Sequence, residues 1–73
     1  MTKLGLYLSQ KSVNKAEISR KTGIKKARMS QLTINPDTQL KADEVYLIAL
    51  AIDVDPCELL KTLCIDLHLN KPV

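Results

Sequence analysis

The chain has 73 residues and a formal net charge of +3, with 45% hydrophobic and 26% charged residues. That length admits one small domain with a modest core, and the balance of apolar to charged residues favours folding over disorder. No apolar run approaches the roughly 20 residues of a membrane-spanning helix, and the opening "MTKLGLYLSQK" has no signal-peptide apolar region, so a cytoplasmic location is expected.

Charge is divided unevenly along the chain. Residues 1–41 hold nine Lys/Arg and two acids, a net of +7, whereas residues 42–73 hold two Lys and six acids, a net of −4. A basic half and an acidic half suggest that one face meets a polyanion. Tyr7 and Tyr46 are the two aromatic residues, so the core must be aliphatic. Cys57, Cys64 and His68 lack zinc-ligand spacing, and no metal or cofactor is expected. Seven residues along a helix would hold the two sulfurs about 10 Å apart, too far for a disulfide. Buried thiols acting as small hydrophobes are the expectation.

In chain order, "TKLGLYLSQ" places Leu4, Tyr7, Leu8 and Lys11 on one face of a first helix, which Gly5 weakens by up to about 1 kcal/mol relative to Ala. The second helix has Asn14 as its cap, and Glu17 three residues later predicts a capping box. Val13 and Ile18 fit a hydrophobic staple across that start. Ile18 and Thr22 continue inward until Gly23, which can end the helix in a left-handed conformation. Ile24 then plugs the core from the turn.

A third helix is expected from about Lys25 to Ile34, with Met29 and Leu32 inward and Lys26, Ala27, Ser30 and Gln31 on other faces. "NPDTQ" reads as a loop, because the residue before a proline avoids the α region and Asp favours a turn. The fourth helix, about Ala42 to Ile52, contains eight consecutive apolar residues, "VYLIALAI". Val45, Ile48, Ala49 and Ile52 form one stripe, while Leu47 and Leu50 point elsewhere and need another partner.

In "DPCELL", Asp55 caps a fifth helix, Pro56 takes its first position and Glu58 completes the box. Leu59, Leu60, Leu63 and Cys64 give its apolar side. These elements form a domain over residues 1–64, followed by a tail over 65–73. Ile65, Leu67 and Leu69 alternate with polar residues, so the tail reads as a strand paired with a second subunit, as an extension of the fifth helix, or as a mobile segment.

Two helices of about eight and ten residues joined by a short turn make a helix-turn-helix pattern, whose second helix can enter the DNA major groove. Lys25, Lys26 and Arg28 crowd the first turn of that second helix. Their repulsion from the helix dipole costs a few tenths of a kcal/mol each, which phosphates would offset. "NKAEISRKTGIKKARMSQL", followed by "ALAIDVDPCELL", resembles the lambda repressor and Cro family of Xre-type helix-turn-helix domains. Asn14, Glu17, Ile18, Ser19, Gly23, Ile24, Met29, Leu32, Ala49, Ile52 and Val54 carry the likeness, which spans about Leu4 to Leu60.

The resemblance implies an all-α, compact five-helix fold, dimeric binding to palindromic double-stranded operators, and bacterial or phage transcription regulation of the repressor type. By position it implies that Lys26, Ala27 and Gln31 read bases, with Arg28 and Ser30 beside them. Asn14 and Lys15 match its phosphate-clamping positions. Thr38, Gln39 and Lys41 are backbone-contact candidates in the loop before the fourth helix, and Lys25 faces phosphate at the helix start. The side-chain chemistry suits these roles: Gln can pair with adenine, Lys and Arg with guanine, and an Ala methyl can touch thymine. The chain departs from the family at Ser19, usually Ala, at Lys25, usually a polar cap, and at Asp53, usually Gly. It also departs at Thr33-Ile34-Asn35, which replaces a Glu-x-Gly step.

A homodimer is expected because Leu47, Leu50, Ile65, Leu67 and Leu69 lack partners inside one subunit. The alternatives to a DNA-binding regulator are a protein-interaction module or an antitoxin-like accessory subunit. An enzyme is not expected, because no nucleophile triad, paired carboxylates or phosphate-binding glycine loop can be assembled, and no small-molecule substrate is implied. Two tyrosines are too few for a single-strand stacking platform.

Overall fold

Each helix begins where a local signal permits it. In a computed structural model that describes residues 1–70, helix α1 spans Lys3–Gln10, α2 Lys15–Thr22, α3 Lys26–Ile34, α4 Ala42–Ala51 and α5 Pro56–Leu63. There is no strand among the described residues. Thr2 caps α1, its hydroxyl oxygen accepting the Gly5 N–H at 3.0 Å. Asn14 caps α2 through the Ala16 N–H, and Asp55 caps α5 through the Glu58 N–H with Pro56 at the first position. Gly23 ends α2 at φ 80°, where its N–H donates to the Ser19 carbonyl. That left-handed geometry is open to glycine without the Cβ penalty other residues carry.

Inward residues from all five helices meet in one core. Leu4 and Leu8 come from α1, Ile18 from α2, Met29 and Leu32 from α3, Val45, Ile48 and Ala49 from α4, and Leu59 from α5. Helix α1 packs on α3, α2 on both α3 and α4, and α4 on α5. Val13 and Ile24 pack against the core from either end of α2, as the staple and plug readings require.

Three close contacts bind α1 to the end of α3. The Thr2 hydroxyl donates to the Leu32 carbonyl at 2.7 Å, and the Thr2 N–H donates to the Thr33 carbonyl at 3.0 Å. The third contact is steric. A Cβ on Gly5 would stand 2.2 Å from the Thr33 carbonyl oxygen. Gly5 is therefore a point of backbone approach rather than simply a weak residue in a helix. Thr33 itself is buried, with its hydroxyl donating to the Met29 carbonyl at 3.0 Å.

Several sequence expectations need correction. Glu17 makes no capping box with Asn14; it pairs with Arg20 one turn along, at 2.7 Å. An Arg fork offers a carboxylate two donors at once, which a single backbone N–H cannot match. Cys57 is exposed and Cys64 half-buried, so neither is a core thiol. Leu60 is half exposed because α5 turns Leu59 inward instead. The tail is neither strand nor helical extension in residues 64–70: the Leu67 N–H closes a turn onto the Cys64 carbonyl, and Lys3 pairs with Asp66. Residues 71–73 of the expected tail lie outside the described residues.

Candidate nucleic-acid interface

The turn between α2 and α3 consists of Gly23, Ile24 and Lys25. Ser19 stabilises it, its hydroxyl donating across the turn to the Ile24 carbonyl. Thr22 contributes a second bond, accepting from the Ile24 N–H at 3.1 Å while its own hydroxyl donates to the Ile18 carbonyl. Ser19 thus ties the turn to the helix before it.

Lys25 occupies the cap position of α3, and its side chain makes no cap bond. An ammonium has no acceptor to offer the first N–H groups of the helix. The start of α3 therefore combines uncapped N–H groups, the positive end of the helix dipole, and the exposed side chains of Lys25 and Lys26.

Helix α3 has one buried and one open side. Met29, Leu32 and Thr33 face the core. Successive residues turn by about 100°, so the opposite side carries Ala27, Ser30, Gln31 and Ile34, with Lys26 at its edge. All five are exposed. Gln31 is partly engaged, its Oε1 accepting from the Asn35 side-chain amide at 3.2 Å. Ile34, not singled out from the sequence, places an apolar side chain 60% exposed on this face.

Arg28 departs from the expected arrangement. Its Nε donates to Glu44 Oε2 at 2.8 Å and its Nη2 to Glu44 Oε1 at 2.9 Å. The same Nη2 donates to the Gln39 carbonyl at 2.8 Å. The sequence expectation places Arg28 beside the base-reading positions; its guanidinium reaches across the loop to α4. At about 100° per residue Arg28 lies about 60° round the helix from Gln31 and about 100° from Ala27. The Arg28 guanidinium holds the Glu44 carboxyl below the ordinary carboxylate range, against the opposing effect of burial. Glu44 also accepts the Lys41 N–H at 2.9 Å, which starts α4 without a capping side chain at Lys41.

That network brings the loop residues Gln39 and Lys41 up to the first turns of α3. Asn35 shapes the rest of the loop, its side-chain oxygen accepting from the Asp37 N–H and its carbonyl from the Thr38 N–H. Thr38 is half-buried, whereas Gln39 and Lys41 are exposed. Asn14 and Lys15 are exposed at the start of α2. The Asn14 side-chain oxygen is used in its cap, leaving its amide donors outside that bond.

Glu44 is the residue that sequence reasoning missed. A signal was present: an acid three residues after Lys41, just ahead of an apolar run, is the spacing of a capping-box partner. Its second role, pairing with Arg28 sixteen positions away, had no local signature. No family profile, curated protein or solved structure matches the chain significantly.

Proposed function

We propose that the chain is a sequence-specific double-stranded DNA-binding regulator of the lambda repressor and Cro type, with α2, its turn and α3 acting as a helix-turn-helix. The observation that carries the reading is the open face of α3. It presents Lys26, Ala27, Ser30 and Gln31 beside an uncapped, lysine-flanked helix start. Gln31 supplies the donor and acceptor that adenine requires, Lys26 reaches guanine, and Ala27 contacts a thymine methyl. Lys15, Lys25 and Lys41 neutralise phosphates, and the amide donors of Asn14 add a neutral contact.

The charge division supports the same assignment. The basic residues concentrate in the part of the chain that forms α1 to α3 and the following loop. The acidic half forms α4 and α5, where exposed Leu47 and Leu50 belong to a homodimer face rather than to DNA. Two subunits related by a twofold axis read a palindromic operator.

Selecting preferred duplexes from a random pool tests the reading. Recovered sequences should contain two inverted half-sites about one helical turn apart. Affinity should fall with salt at a log–log slope of about −3 per subunit, from Lys15, Lys25 and Lys41. Failure to enrich any sequence, with no retardation of any duplex at low salt, would sink the proposal. A protein captured instead through the same basic face would favour the protein-interaction reading.

A further inference from the structure

Arg28 sits in the first turn of α3, where an arginine would ordinarily be counted among the groups that bind phosphate. We infer that Arg28 and Glu44 form an electrically neutral strut that removes Arg28 from the DNA-binding charge and sets the position of Lys41 beside α3. The inference rests on the DNA-binding reading of α3 and extends it to α4, which no base-reading argument includes.

The geometry carries the assignment. Both oxygens of Glu44 are engaged by the guanidinium, at 2.8 and 2.9 Å, in the two-pronged arrangement that matches a planar fork to a carboxylate. The Glu44 side chain is only 11% exposed, so water competes weakly for it. The third bond, to the Gln39 carbonyl, fastens the loop between the two helices. The carboxylate also receives the Lys41 N–H. One acidic side chain therefore joins the start of α3, the loop and the start of α4.

The pair has no net charge, so binding DNA through it would release few counterions. Taking Arg28 to a phosphate would also leave Glu44 charged, poorly hydrated and close to a polyanion. Both effects oppose transfer of the guanidinium. Glu44 is thus a positioning residue: it contacts no DNA and acts through Arg28, the loop and Lys41.

Removing the negative charge while keeping an acceptor for the Lys41 N–H separates this role from simple loss of structure. The probes are a mixed-sequence duplex and the full chain, with salt titrated in a binding assay. Glu44→Gln should free Arg28, steepening the log–log salt slope by about 0.9 per subunit. Glu44→Asp, which retains the charge, should keep the wild-type slope even if the fold loosens. Adding Arg28→Met to Glu44→Gln should return the slope to the wild-type value. An unchanged slope in Glu44→Gln, or a double variant that stays steep, overturns the inference while leaving DNA binding intact. If Glu44→Gln does not fold, the Arg28 Nε–H resonance of the wild-type protein decides. It should be protected from exchange and unmoved when duplex is added; a large shift on binding overturns the inference. A wild-type chain that binds no duplex overturns both readings.

Discussion

Gly5 and Asp53 show how much single backbone positions decide. Gly5 lies where α1 meets the Thr33 carbonyl, and a methyl group there would collide with that backbone as well as with the movable Met1 side chain. Gly5→Ala should destabilise the protein by about 1–3 kcal/mol through forced separation of α1 and α3, despite alanine's better helix propensity. Chemical denaturation checks this, and a more stable variant would refute the close-approach account. Asp53 is the reverse case. It sits at φ 57° just beyond α4, a left-handed conformation that costs an L-residue energy which glycine avoids. Asp53→Gly should raise stability by about 0.5–1 kcal/mol and, under the proposed function, leave duplex affinity unaltered, because Asp53 follows α4 and is not among the residues assigned to DNA. Thermal unfolding measured beside duplex binding tests both parts.

At the scale of the element, α3 gives up stability at its start. The other four helices have an acceptor or a carboxylate partner near their first N–H groups; α3 has Lys25. Lys25→Ser would install a capping hydroxyl and should stabilise the fold by about 1 kcal/mol. Under the proposed function the same change deletes a charge assigned to phosphate, so the salt slope should become shallower by about 0.9 per subunit. Stability rising while affinity falls is the expected joint outcome. If stability and affinity both rose, the uncapped start would have no functional meaning. Helix boundaries were largely legible because caps are local: Asn14, Gly23 and the Asp55-Pro56 pair act within a few residues of themselves. The Glu17 box was misread for a related reason. Two local partners competed, and the Arg20 fork outcompetes one backbone N–H.

Over the whole molecule, the Arg28–Glu44 pair makes stability respond to acid. Glu44 titrates below its ordinary range of about 4.3 because the charged form is held by Arg28 and the Lys41 N–H. A depressed carboxyl pKa contributes stability that is present above the unfolded value and lost as pH falls through the folded one. Unfolding midpoints should therefore be insensitive to this group at neutral pH and decline below about pH 4.3. Glu44→Gln should flatten that acid decline while lowering stability at neutral pH. An acid decline of the same size in both proteins would show that other carboxylates cause it. The apolar surface belongs to the same scale. Leu47, Leu50, Ile65, Leu67 and Leu69 are exposed, and their burial in a homodimer is the expected outcome. Sedimentation of the free protein at micromolar concentration checks it; a monomer throughout would remove this interface from the proposed function.

The sequence by itself determined five helices, most of their ends, the inward residues Ile18, Met29, Leu32, Val45, Ile48 and Ala49, and the exposed side of α3. Periodicity and capping act over one or two turns, so they are readable from a short stretch. Only the tertiary structure decided that Gly5 is a contact point, that Thr33 is buried, and that the tail turns back after Cys64. It alone decided that Arg28 is joined to Glu44 rather than left beside the other cations. These outcomes depend on groups brought together from distant parts of the chain, and no local spacing encodes such a meeting.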